Sequence, residues 1–66
     1  MPEAWTGELI GRMHNARITY DDLASELGCS KPYICMILNG RRKPDGAEQR
    51  LNEAFYRVKA KKENSA

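Results

Sequence analysis

Apolar side chains recur at helical spacing in four separate stretches of this 66-residue chain. Trp5, Leu9 and Met13 repeat every four residues with Ile10 beside them, predicting a first helix from Ala4 or Trp5 to Asn15. Gly7 and Gly11 weaken that helix by roughly 1 kcal/mol each relative to alanine, so docking must stabilise it, and Gly11 offers a place for close helix approach. Leu23, Ala24 and Leu27 mark a second, short helix, and Ile34 and Ile37 a third. Ala47, Leu51, Ala54, Phe55 and Val58 share one face of a last helix running to about Lys61, with a tail, 62–66, expected to fray. Trp5 and Phe55 are expected in the core. The expected fold is all-α, a compact four-helix domain with no strand, or five helices if the last stretch divides.

Polar residues at the boundaries sharpen the two middle helices. Thr19 can cap the second, Asp22 three residues later completes a capping box, and Ile18 can staple onto Leu23. Tyr20 then takes the first helical position, with Asp21 and Asp22 favouring the positive end of the helix dipole. Ser30 caps the third helix, Lys31 opens it, and Pro32 lies in the first turn, where its missing N–H costs nothing. Cys29 and Ile34 repeat the staple, and Asn39-Gly40 supplies left-handed residues to end the helix. Arg41 to Gly46 reads as a loop closed by Pro44-Asp45-Gly46.

The offsets around Gly28 suit two helices crossing steeply through a short turn. Ala24 is small where the helices touch, and Gly28 permits a positive φ at the corner. Leu23, Leu27, Cys29, Ile34 and Ile37 supply an apolar wedge between the helices. That is the arrangement of a helix-turn-helix.

Composition bounds the rest. A hydrophobic content of 41% and a charged content of 30% are ordinary for one small globular domain. The net charge of +2 conceals an asymmetry. Residues 1–30 carry two basic against five acidic side chains, and residues 31–66 carry nine against four. Lys31, Arg41, Arg42 and Lys43 lie in a stretch with no acid, which reads either as a solvated loop or as a polyanion-binding patch. Nothing resembles a signal peptide and no apolar run reaches the length of a membrane span, so the expected location is the cytoplasm. Cys29 and Cys35, six apart on helical backbone, are expected to stay reduced, and His14 alone does not complete a zinc site. No cofactor, metal or small-molecule ligand is indicated. No paired acid and base, activated nucleophile or phosphate-cradling glycine loop points to an enzyme.

From Ile18 to Pro44 the chain resembles the lambda-repressor/Cro-like helix-turn-helix family, also called the XRE family. The residues that carry the likeness are Ile18-Thr19, Leu23-Ala24, Leu27-Gly28, Ser30, Ile34, Ile37, Asn39-Gly40 and Pro44, over about two-fifths of the chain. The whole chain is also similar to short phage or prophage regulators of this family. It departs from the pattern in having Tyr20 where many relatives have glutamine, and Cys35 and Leu38 where polar residues are usual. The connection before Ile18 is about one residue shorter, and the fifth helix of larger relatives is missing or merged into the last.

The resemblance implies sequence-specific binding of double-stranded DNA by a transcriptional regulator, a repressor by preference, with helix 30–38 in the major groove. Carried onto this sequence, the base-reading residues are Ser30, Lys31, Pro32, Cys35 and Met36, with Tyr33 at the margin. Lys31 is the candidate donor to guanine O6 or N7, while Pro32, Cys35 and Met36 can only pack on a thymine methyl. Tyr20, Asn39, Arg41, Arg42 and Lys43 are the phosphate-binding candidates; about four such charges would give log K a slope of roughly −3 to −4 against log salt. A homodimer on a palindromic site is the expected partner arrangement, with Tyr56 and the outer side of the last helix as candidate contacts. Blander readings stand beside these: Tyr33 as a packing residue, Met36 and above all Leu38 facing the core or a partner, and His14 as an ordinary exposed residue. The alternative function is a protein-interaction module, antitoxin-like or polymerase-binding, using Cys35, Met36 and Leu38 and binding DNA weakly.

Overall fold

The computed structural model of the chain describes residues 3–64. Four helices account for the regular structure among them: α1 Ala4–Ala16, α2 Tyr20–Leu27, α3 Lys31–Leu38 and α4 Ala47–Asn64. α2 packs against α3 and α4, and α1 lies across α4 and α3. The Cα radius of gyration is 11.2 Å, close to the value of about 11 Å for a folded chain this long.

The core draws on every helix. Leu9 and Met13 of α1, Leu23 and Ala24 of α2, Ile34, Ile37 and Leu38 of α3, and Ala47, Leu51, Ala54, Phe55 and Val58 of α4 form one buried cluster with Ile18. Leu9, Leu23, Ile34, Leu38 and Leu51 are almost completely enclosed, each stabilising the fold by roughly 1.5–3 kcal/mol. Between α2 and α3 the expected wedge divides: Leu23, Ile34 and Ile37 are buried, whereas Leu27 and Cys29 are half-buried and pack on the cluster's edge.

The first three helices end in the same way. The N–H after each cap reaches back to a carbonyl five residues earlier: Ile18 to Met13, Cys29 to Ala24 and Arg41 to Met36, each at 2.9 Å. This closure needs one left-handed residue, supplied by Arg17 (φ 58°), Gly28 (φ 71°) and Gly40 (φ 78°). Asn39 departs from expectation here, with φ −88°; Gly40 alone takes the left-handed conformation. Arg17, unlike the two glycines, has a Cβ that disfavours this backbone, and its cation at the α1 C-terminus offsets part of the cost.

Other expectations are corrected. α1 runs one residue beyond Asn15. Trp5 is only partly buried, because its indole N–H donates to the Glu3 carboxylate at 2.8 Å, which holds the ring at the rim. Thr6, which no apolar pattern flags, is buried instead, with its hydroxyl donating to the Glu3 carbonyl. A Cβ at Gly11 would meet nothing within 4 Å, so this glycine serves no close helix approach. α4 continues past Lys61 to Asn64, where fraying was expected from residue 62; Lys61 and Lys62 in its last turn suit the negative end of the dipole. The remainder of that tail, 65–66, lies outside the described residues.

Candidate functional site

Both capped starts form as their residues dictate. Thr19 Oγ1 accepts from the Asp22 N–H at 3.1 Å, and the Asp22 carboxylate accepts from the Thr19 N–H at 2.9 Å, completing the capping box. Ser30 Oγ accepts from the Tyr33 N–H at 3.3 Å. Between them, Gly28 turns the chain within three residues, 28–30.

The sequence-predicted site residues separate into three settings. Ser30, Lys31 and Pro32 stand exposed on the first turn of α3. Cys35 and Met36 are half-buried further along the helix, and both cysteines are free. Tyr33 and Tyr20 are half-buried with their rings against the core, so each presents only part of its surface to solvent. Leu38 is 1% exposed and belongs to the core.

At the other end of α3, about 12 Å from its first turn by helical rise, Asn39, Arg41, Arg42 and Lys43 are all exposed. Among the described residues, the Arg41 and Lys43 side chains make no ion pair or hydrogen bond. The Arg42 guanidinium sits 5.9 Å from the centre of the Tyr33 ring, a cation–π contact that ties the loop back to α3. The basic run therefore keeps its charge available along one edge, with α3 between it and the α2–α3 turn.

Lys31 differs from those cations. Its Nζ lies 3.9 Å from Asp21 Oδ2, across the gap between the starts of α2 and α3. The Lys31 and Asp21 side chains are 55% and 72% exposed, and an ion pair so solvated stabilises a fold by only about 0–1 kcal/mol. No local periodicity connects residues ten apart on different helices, so this partner is invisible to a reading of sequence. The same is true of the charges joining α2 to α4. Glu26 accepts from Arg57 Nε at 2.9 Å through one oxygen and from Lys61 Nζ through the other. Its side chain is 15% exposed, and Lys61 first, then Arg57, holds the carboxyl below the ordinary glutamate range. Asp22 is likewise held low, chiefly by the Thr19 backbone N–H and in part by Lys62, whose Nζ lies 3.5 Å away.

A shallow cleft of about 580 Å³ opens between the start of α1 and the basic loop. Glu3, Asp45 and Glu48 line it together with Arg42 and Lys43, so its walls carry mixed charge. Among the described residues no group of three His, Cys, Asp or Glu side chains is placed to hold a metal ion, and no helix is long and apolar enough to cross a membrane. No protein-family model, curated protein or solved structure matches the chain.

Proposed function

We propose that this chain is a helix-turn-helix regulator of the lambda-repressor/Cro-like kind that binds double-stranded DNA sequence-specifically. α2, the Gly28 turn and α3 form the DNA-reading unit, with α3 entering the major groove. The observation that carries the reading is the disposition of charge on α3: an exposed Ser30-Lys31-Pro32 first turn at one end, and the exposed Arg41-Arg42-Lys43 run at the other. Lys31 donates to a guanine edge, and Ser30 Oγ, while accepting from the Tyr33 N–H, retains its own proton to donate. Cys35 and Met36 offer partial apolar surface to thymine methyls. Asn39, Arg41, Arg42 and Lys43, together with the Tyr20 hydroxyl, hold phosphates and set the register without reading sequence.

The protein-interaction alternative is the weaker one, because Leu38, one of its three apolar contacts, is enclosed in the core. Dimerisation on a palindrome belongs to the DNA reading; Tyr56, 54% exposed on α4, is the side chain available for it.

The test is a set of alanine variants measured by fluorescence anisotropy on duplexes selected from a randomised pool. Lys31→Ala should lower preference for the selected site, by about 1–3 kcal/mol at one base position. Arg41→Ala and Arg42→Ala should weaken binding to all duplexes alike and flatten the salt dependence by about 0.9 each. A folded Lys31/Arg41/Arg42 triple alanine variant that binds as tightly as the parent refutes the proposal.

A further inference from the structure

We infer that Tyr33 is a positioning residue for Arg42, its ring holding the guanidinium where it meets a DNA phosphate. The inference rests on the DNA-binding reading and concerns how a loop cation is aimed. Tyr33 sits in the first turn of α3, where its N–H donates to the Ser30 cap and its ring packs against the core. Leu27, Cys29, Ile37 and Pro44 line the same small apolar hollow as Tyr33, so the ring is seated by α2, α3 and the loop together. Arg42 lies nine residues further on, yet its guanidinium comes back along α3 to 5.9 Å from the ring centre.

The other end of Arg42 is fixed as well. The Arg41 and Arg42 N–H groups both donate to the Met36 carbonyl, at 2.9 and 3.2 Å, so the loop backbone leaves α3 from a set point. With backbone and guanidinium tied to the same helix, much of the rotamer freedom that phosphate binding would remove from Arg42 is already lost. The kind of contact matters. Arg57 donates its Nε–H to Glu26 and must give up that bond to reach any other acceptor. Arg42 instead lies over the face of a ring, and among the described residues its guanidinium makes no ion pair or hydrogen bond. Its five N–H donors stay unpaired, so it keeps the ring and donates to a phosphate at once, a combination suited to the planar guanidinium. Every duplex presents phosphates, so Tyr33 raises affinity for all DNA alike and acts through Arg42 rather than on a base.

A double-mutant cycle tests it. Tyr33→Leu keeps an apolar side chain on the core and removes the ring, whereas Tyr33→Phe keeps the ring and removes the hydroxyl. Each is made alone and with Arg42→Ala, checked by circular dichroism melts, and titrated by anisotropy over a salt series with a selected and a base-shuffled duplex. Tyr33→Leu should weaken binding to both duplexes about two- to fivefold with the parent's salt slope, since the charge is retained. In the Arg42→Ala background it should have no effect. Tyr33→Phe should retain the coupling to Arg42. In NMR spectra of the parent, the Arg42 δ protons should be displaced upfield by the ring and stay so when duplex is added. That arm decides even if Tyr33→Leu melts below the working temperature. The inference fails, while the DNA reading stands, if Tyr33→Leu changes nothing or acts equally without Arg42, if Tyr33→Phe behaves like Tyr33→Leu, or if the upfield displacement is missing or vanishes on DNA. If the parent binds neither duplex, the DNA reading fails and takes the inference with it.

Discussion

Two groups of cations, identical in chemistry, do opposite work in this molecule. Along the α2–α4 contact, Arg57 and Lys61 converge on Glu26 and Lys62 approaches Asp22. In the loop after α3, Arg41 and Lys43 form no ion pair among the described residues, and Arg42 rests on the Tyr33 ring. The first group is consumed in joining helices; the second leaves its field in solvent. A net charge of +2 describes neither, because binding responds to the local, uncompensated charge.

Charge reversal at one member of each group is the most severe way to break this comparison. Lys43→Glu should leave the thermal midpoint essentially unchanged while lowering affinity for any DNA duplex about tenfold at moderate salt. Glu26→Lys should do the reverse: Tm drops by several degrees, since a third cation then meets Arg57 and Lys61, while per-molecule affinity below the transition does not fall. Thermal melts and anisotropy titrations on the same two variants test both halves. Equal effects on Tm would erase the distinction.

A milder perturbation is acid. Glu26 and Asp22 titrate below their ordinary values in the folded chain, so their contribution is fully present above the unfolded values, near pH 4–4.5. It is lost as pH falls through the lowered folded values. Urea melts between pH 6 and roughly pH 3 should show this loss in the parent and a shallower one in Glu26→Gln. A loss of the same size in both would remove Glu26 from the account.

The smallest expected effect gives a scale for the other two. Gly11→Ala fills an exposed position within α1 and should raise stability by about 0.5–1 kcal/mol in urea melts. DNA affinity and acid sensitivity should stay as in the parent, because α1 at that point touches neither charged group.

Much of the scaffold was legible because its determinants are local. Thr19 with Asp22, Ser30 with Pro32, and Gly28 between them set where α2 and α3 start and turn, through contacts spanning three or four residues. The periodic apolar positions likewise identified most of the core, including Phe55. Trp5 was misplaced because periodicity ignores its polar N–H, and Leu38 stayed ambiguous because an apolar residue on a short helix fits either core or surface. Arg17 gave no signal as a left-handed cap, since its side chain resembles no glycine.

The sequence alone, then, determined four helices, the two capped starts, the Gly28 corner and an acid-free basic loop, all products of short-range chemistry. Tertiary structure decided which charges are left over. Lys31 and Asp21 are ten residues apart, and Glu26 and Lys61 are thirty-five apart. Only the packing of α2 against α3 and α4 brings each pair together, because ion pairs depend on distance in space and leave no periodic trace along the chain.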